Sequence, residues 1–155
     1  MRRKVNYKRK KVPDLKYNSV VLGRFINYLM QDGKKSTAER IVYKMMDIIE
    51  KQTKEQPLPV FEKALENASP AVEVASKRVG GANYQVPREV RADRKFVLAA
   101  RWLIDAARGK KGKPMASKLA EEVLAAIKNE GSAIKKKQDM HRMAEANRAF
   151  AHFSW

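Results

Sequence analysis

The 155-residue sequence contains no cysteine and only two histidines, His141 and His152. Without cysteine the chain can form no disulfide, no thiolate nucleophile and no cysteine-based zinc site. Two histidines are too few for a three-histidine metal centre. No apolar run approaches the ~18 residues of a membrane span, and no apolar segment follows the basic N-terminus, as it would in a secretory signal. We therefore expect a soluble intracellular protein with no metal, no cofactor and no membrane partner.

Motifs that would indicate an enzyme are also weak. Residues 33–36 (GKKS) resemble the end of a phosphate-binding loop, but the upstream glycine and the preceding apolar strand of such loops are missing. A turn followed by a helix cap is the favoured interpretation. The two histidines fit packing or RNA stacking better than catalysis. The sequence therefore predicts a protein that is not an enzyme and has no small-molecule substrate.

Acidic residues are scarce: the chain has 17 Asp and Glu residues and 34 Lys and Arg residues, which gives a formal net charge of +17. Residues 1–17 carry eight basic residues and one acid, residues 18–73 carry eight of each, and residues 74–155 carry eighteen basic residues and eight acids. A neutral block thus separates a basic arm from a basic C-terminal half. This concentration of charge indicates a face or cleft that binds a polyanion.

Hydrophobic periodicity predicts a mainly α-helical single domain over residues 1–155. Apolar residues recur at helical spacing in six segments, and Ser36 with Glu39 reads as a capping box that opens the second helix. Pro57 suits the first position of the third. The predicted helices span about residues 18–30, 36–51, 57–68, 96–107, 115–127 and 132–147. The basic segment 1–17 has no such period, so we expect an extended, disordered arm.

Between the third and fourth helices, the pattern changes to that of a β-hairpin over residues 71–90. Alternating residues flank Gly80-Gly81-Ala82-Asn83, which tolerates a tight turn. Pro87 cannot donate to a strand ladder, so its strand should lie at an edge. Neither strand is apolar along a whole face. The sequence therefore predicts a six-helix bundle with a protruding two-stranded arm.

The basic residues form clusters that favour nucleic acid as the polyanion. Arg94, Arg101 and Arg108 are spaced seven apart and share one face of the fourth helix, with Lys95 and Trp102 beside them. Arginine suits phosphate oxygens, and an indole can stack on a base, although Trp102 can equally be a core residue. A basic hairpin and arm suit irregular folded RNA better than duplex DNA. A nucleoid-type DNA-binding protein is the alternative, and an RNA-modifying enzyme is disfavoured because no cofactor loop is visible.

Four segments carry a resemblance to a known family. Residues 78–87 read RVGGANYQVP, residues 32–35 DGKK, residues 101–103 RWL, and residues 135–152 begin with KKK and end with MAEANRAFAH. In this order, over residues 13–155, the chain resembles the bacterial form of the small-subunit ribosomal protein seven family. One departure is Ser154, where many members carry arginine.

The resemblance implies a six-helix protein that binds the 3′ major domain of small-subunit ribosomal RNA as a primary binder and nucleates assembly of the subunit head. It also implies a place at the subunit interface near the decoding centre, beside the exit-site tRNA and the messenger path, and contact with small-subunit proteins nine and eleven. The compartment would be the cytoplasmic ribosome, with an organellar ribosome left open.

Two sets of site residues follow from the clusters and the resemblance together. The expected ribosomal RNA contacts are Arg2, Arg3, Lys4, Lys8, Arg9, Lys10, Lys11, Lys34, Lys35, Lys77, Arg78, Arg91, Arg94, Lys95, Arg101, Trp102, Arg108, Lys110 and Lys111. The residues expected to face tRNA or messenger are Gly80, Gly81, Ala82, Asn83, Tyr84, Lys135, Lys136, Lys137 and Arg142.

Overall fold

The computed structural model describes residues 12–153, which form six α-helices, one antiparallel β-hairpin and a short 3₁₀-helix. The elements are α1 (Val20–Leu29), α2 (Lys35–Thr53), α3 (Pro57–Ala68), β1 (Val72–Val79), β2 (Ala82–Glu89), α4 (Ala92–Gly109), α5 (Met115–Ile127), α6 (Ser132–Ala146) and the 3₁₀-helix Arg148–Phe153. The predicted fold class is confirmed. The predicted contacts Arg2, Arg3, Lys4, Lys8, Arg9, Lys10 and Lys11, and the departure at Ser154, lie outside the described residues.

Helices α1 to α5 enclose one hydrophobic core, to which α6 adds Ala133 and Ile134. Phe25 of α1 meets Phe61 of α3 edge to face, with ring centroids 5.0 Å apart. Leu103 of α4 and Leu119 of α5 are fully buried in the same core. Burying a side chain of this size stabilises the fold by about 1.5–3 kcal/mol. Among residues 12–153, no helix is both long and apolar enough to cross a membrane.

The predicted capping box at the start of α2 is wrong. The helix begins at Lys35, so Lys34 occupies the N-cap position and makes no side-chain cap, while Ser36 is already the second helical residue. The cause is the preceding turn, in which Asp32 and Gly33 both have positive φ and the Lys35 N–H bonds the Gly33 carbonyl. Glu39 instead lies 3.8 Å from the Lys35 ammonium, a pair one helical turn apart.

The hairpin turns tightly at Gly80-Gly81, where both glycines have positive φ (57° and 89°). Positive φ at both central residues is what the type I′ turn of two-residue hairpin loops requires. The predicted hairpin is confirmed; within the segment 80–83, Gly80 and Gly81 form the turn, while Ala82 and Asn83 belong to β2 and pair with Val79 and Arg78. Among the described residues the sheet has two strands, so Pro87 lies on an edge strand as predicted.

Helix α4 begins at Ala92, four residues before the predicted start. The apolar pattern starts only at Phe96 because the first turn faces solvent, and Arg91 precedes the helix in an extended conformation. Arg94 and Lys95 therefore lie on the same helix as Arg101, as the seven-residue spacing of the arginines predicts.

Residues 12–17, the described part of the predicted arm, form a turn anchored to the helices. The buried Asp14 carboxylate accepts hydrogen bonds from the Lys16 and Tyr17 N–H groups and from the Tyr43 hydroxyl, the last at 2.6 Å. Burial and this bond to Asp14 raise the pKa of Tyr43 to about 12. Gly23 permits the close approach, since a Cβ there would lie 2.7 Å from the Val12 carbonyl oxygen. This part of the arm is not extended.

Candidate nucleic-acid interface

The turn between α1 and α2 presents two of the predicted RNA contacts to solvent. Lys34 and Lys35 are exposed, and their nearest carboxylate oxygens, on Asp32 and Glu39, lie 3.9 and 3.8 Å away. Exposed pairs at such distances contribute little to stability. Both ammonium groups can therefore exchange these partners for a phosphate at small cost.

Lys34 and Arg108 line one groove of about 390 Å³. The groove lies between the end of α1 and the starts of α2 and α5, and its floor is apolar, with Leu29 and Met115 among the lining residues. An Arg108 Nη2 atom donates to the Leu29 carbonyl at 3.3 Å, which holds the guanidinium at the rim. The structure thus brings together two predicted cations that lie 74 positions apart in the sequence.

The exposed face of α4 carries Arg101, which lies over the Tyr28 ring of α1 at 5.9 Å from its centroid. A second arginine, Arg24 of α1, belongs to neither predicted set; it stacks on Phe96 of α4 at 4.1 Å from the ring centroid and pairs with Asp93 at 3.4 Å. The exposed Arg101 guanidinium rests on an aromatic face and keeps N–H donors available for a phosphate. Trp102 is half-buried and packs against the core, which favours its structural interpretation.

Lys95 lies in a different environment from the other predicted cations. It lines a groove of about 550 Å³ with Glu62 and Glu66 of α3 and with Phe96. The two carboxylates lower the local positive potential. Lys95 is therefore a weaker candidate for a phosphate contact than Arg101, six positions farther along the same helix.

The base of the hairpin contains a buried carboxylate between two arginines. Glu73 of β1 accepts hydrogen bonds from Arg88 of β2, at 2.7 and 3.0 Å, and from Arg94 of α4, at 3.2 Å. Burial alone would raise the pKa of Glu73, but the two guanidinium groups outweigh it and hold the pKa below its ordinary value. The carboxylate is therefore ionised at neutral pH, and it ties both strands to the start of α4.

The loop after α4 contains a second cation held by a buried carboxylate. Glu122 of α5 is 1% exposed, and its Oε2 lies 2.8 Å from the Lys110 ammonium. Its Oε1 accepts a hydrogen bond from the Ala133 N–H in the first turn of α6. Lys111 is exposed and pairs with no carboxylate among the described residues. Lys111 is thus the better placed of these two predicted contacts to meet RNA.

The hairpin tip leaves Gly80, Gly81, Ala82 and Asn83 exposed, with Arg78 beside them. Tyr84 is half-buried, because the ring centroids of Phe150 and Phe153 in the 3₁₀-helix lie 5.2 and 5.3 Å from its own ring centroid. The half-buried Lys77 donates from Nζ to the Phe153 carbonyl. The C-terminal segment thus supports one side of the hairpin, and the exposed polar tip is what remains for a partner.

The predicted cations of α6 fall into two groups. Lys135, Lys136 and Arg142 are exposed, whereas the half-buried Lys137 donates from Nζ to the Asn67 carbonyl of α3 at 2.7 Å. Lys137 therefore serves to pack α6 on α3. The nearby His141 accepts a hydrogen bond at Nε2 from the Ala71 N–H, so α6 also holds the base of the hairpin.

Residues 12–153 contain no group of three or more His, Asp or Glu side chains arranged to hold a metal ion. Three carboxylates among these residues are buried, and each accepts hydrogen bonds from groups of the same chain: Asp14, Glu73 and Glu122. What the arrangement offers chemically is a set of exposed cations on a rigid helical body.

Known proteins resemble this chain along nearly its whole length. A family described as ribosomal protein S7p/S5e matches residues 1–148. A protein called small ribosomal subunit protein uS7 from Thermosipho melanesiensis is 57% identical over 155 residues, with 100% of both chains covered. Its namesake from Methylorubrum extorquens is 56% identical over 148 residues, 96% of this chain and 95% of the relative. Another, from Thermotoga maritima, is 56% identical over 155 residues and all of both chains.

The chain belongs to the ribosomal protein S7p/S5e family. Members of this family are structural and non-enzymatic, so the chain is not an enzyme. Ribosomal, translation and RNA-binding descriptions fit the family. The resemblance seen in the four sequence segments is therefore confirmed.

Within this S7-family chain, sequence reasoning missed the residues that organise the cations. Arg88 stands outside both predicted sets although Glu73 holds it together with Arg94. The sequence does contain a signal for the Glu73–Arg88 pair. Both residues are seven positions from the Gly80-Gly81 turn, so they face each other across the ladder. The contribution of Arg94 depends on how the hairpin docks on α4, which no local pattern encodes.

Proposed function

We propose that this chain is a structural constituent of the small ribosomal subunit that binds the 3′ major domain of small-subunit ribosomal RNA. In this role it is a primary binder that nucleates head assembly in the cytoplasmic ribosome. The hairpin tip and α6 face the exit-site tRNA and the messenger path near the decoding centre, and small-subunit proteins nine and eleven are its protein neighbours. The observation that carries the proposal is the full-length similarity to proteins called small ribosomal subunit protein uS7.

The distribution of cations supports an RNA partner. Lys34, Arg101, Lys111 and Lys135 are exposed on three regions of the body: the α1–α2 turn, α4 with its following loop, and α6. Folded RNA can present phosphates to several such regions at once, whereas a straight duplex follows one line. Each phosphate contact releases counterions, so the affinity should fall steeply with salt.

Competition binding tests the partner. The labelled RNA fragment of the 3′ major domain is bound by the full chain at fixed salt, and unlabelled duplex DNA or the same RNA is added as competitor. We expect the RNA to compete at a concentration at least ~100-fold lower than the DNA, because specific binding exceeds non-specific binding by several orders of magnitude. Equal competition by DNA would favour the nucleoid-type alternative.

A pair of triple variants tests the binding surface. Replacing Lys34, Arg101 and Lys111 by glutamine removes three exposed charges from the proposed interface. Replacing Lys44, Lys51 and Lys63, which are exposed on α2 and α3 in the neutral block, removes the same charge elsewhere. Each lost phosphate contact should reduce the salt slope by about 0.7–0.9. We expect a slope lower by about 2 to 3 for the first variant and less than 1 for the second. Equal slopes would contradict the proposed surface.

A further inference from the structure

The arrangement at the hairpin base joins three elements through one carboxylate. Glu73 lies on β1, Arg88 lies directly opposite it on β2, and Arg94 lies in the first turn of α4. One oxygen of Glu73 takes the Nε and Nη2 donors of Arg88, and the other takes Nε of Arg94. A shift of the hairpin relative to α4 must therefore break a charged hydrogen bond.

The carboxylate is buried, but the arginines are not. The Glu73 side chain is 8% exposed, whereas those of Arg88 and Arg94 are 56% and 46% exposed. Arginine has five N–H donors, and Glu73 uses two of Arg88 and one of Arg94. The remaining donors belong to side chains that reach solvent. The buried acid thus fixes the inner edges of two guanidinium groups and leaves further donors for an external anion.

We propose that Glu73 is a positioning residue for RNA binding: it presents Arg88 and Arg94 as a fixed pair for backbone phosphates and sets the orientation of the hairpin on α4. This inference rests on the proposed function. In this proposal an acidic residue strengthens the binding of a polyanion, whereas its charge alone would weaken that binding. Arginines that are oriented before binding lose less conformational freedom on binding, so the phosphate contact is stronger.

The decisive variant is Glu73→Gln, because the two explanations predict opposite signs. If Glu73 acted only through its charge, removing a negative charge would strengthen RNA binding. If Glu73 positions the arginines, the amide loses one charged acceptor and binding of the 3′ major domain fragment weakens, by about tenfold. The control is Glu89→Gln on β2, an exposed carboxylate of the same hairpin. It removes the same charge, and we expect unchanged or slightly tighter binding.

A distance measurement on the free protein tests the orientation separately. The chain has no cysteine, so spin labels attach only at introduced sites, Ala82→Cys at the hairpin tip and Lys44→Cys on α2. We expect one narrow distance distribution with Glu73 and a clearly broader one with Glu73→Gln. Affinity that stays unchanged or rises, as in the control, overturns the proposal. So does a loss of affinity with a distribution that stays narrow, because the hairpin would then keep its orientation without Glu73.

A second variant keeps the test valid if Glu73→Gln does not fold. Arg94→Lys preserves the charge at a half-exposed position but replaces the planar fork by a point charge. It should also weaken binding and broaden the distribution, and overturns the proposal if it does neither. If the wild-type chain shows no preference for the RNA over duplex DNA, the proposed function fails. The distance distributions still decide in that case whether Glu73 orients the hairpin.

Discussion

The Glu122 carboxylate is 1% exposed and bonds at once to the Lys110 ammonium, at 2.8 Å, and to the Ala133 N–H, at 2.9 Å. Three segments thereby meet at one side chain: the loop after α4, helix α5 and the first turn of α6. Gly131 makes this possible, since it has φ +96° and a Cβ there would lie 2.8 Å from a Glu122 oxygen. The negative charge of Glu122 also interacts favourably with the positive, N-terminal end of the α6 dipole.

Replacing Glu122 by glutamine should destabilise the fold by about 1–3 kcal/mol, because the amide at this buried position loses the charged hydrogen bond to Lys110. Urea unfolding followed by circular dichroism measures the change in the free energy of unfolding. The neighbouring Glu121→Gln removes a more exposed carboxylate paired with Lys113 and should leave the free energy of unfolding nearly unchanged, because solvent screens the pair. Similar losses for both variants would contradict the role given to Glu122.

The bond between Tyr43 and Asp14 should make stability depend on alkaline pH. The pKa of Tyr43 is raised to about 12 in the folded chain, above the ordinary value of about 10. The folded state thus holds its proton more tightly. The stabilisation is complete below pH ~10 and is lost as the pH rises towards ~12. Tyr43→Phe should cost about 1 kcal/mol at pH 8 and show a weaker loss between pH 10 and 12 in urea titrations. Tyr28→Phe is the control and should retain the wild-type alkaline slope.

His141 should produce a dependence at acidic pH. Burial, with a smaller effect of Lys137, lowers the pKa of His141, and its Nε2 accepts a hydrogen bond from the Ala71 N–H. The unfolded chain therefore binds the proton more tightly than the folded chain. The stabilisation that neutral His141 provides is present above pH ~6.5 and is lost as the pH falls. His141→Gln should flatten the fall in melting temperature between pH 7 and 5. The control His152→Gln, on the exposed 3₁₀-helix, should show the same fall in melting temperature as the wild-type chain. A wild-type slope in His141→Gln would refute this assignment.

Gly23→Ala should disturb the anchored turn at residues 12–17. The new Cβ would lie 2.7 Å from the Val12 carbonyl oxygen, a separation that forces the backbone segment to move. We expect a loss of about 1–3 kcal/mol, measured by thermal unfolding. Gly109→Ala is the control, because a Cβ there meets nothing within 4 Å at the end of α4. It should be neutral or stabilising by up to ~1 kcal/mol.

The helices were predictable because each buries one face, so residues such as Phe25 and Leu103 recur at helical spacing. The hairpin was predictable from two adjacent glycines between alternating residues. The start of α2 was not, because the left-handed turn at Asp32-Gly33 moved the helix start ahead of Ser36.

The candidate site was predictable only as a set of cations. Charge clusters identify Lys34, Lys110 and Lys137 equally, yet Lys34 is exposed, Lys110 bonds a buried acid, and Lys137 bonds α3. These differences arise from contacts between residues far apart in the sequence. Spacing along one helix carries no information about them.

The ion pairs at the base of the hairpin have a mechanical consequence for its tip. Gly80 lies seven positions after Glu73, just past the end of the extended strand β1, which corresponds to a lever of about 23 Å at ~3.3 Å per residue. A rotation of only ~10° at the base would displace the tip by about 4 Å, roughly the spacing of one strand. A small rotation at these three side chains thus becomes a displacement of several ångströms at the tip.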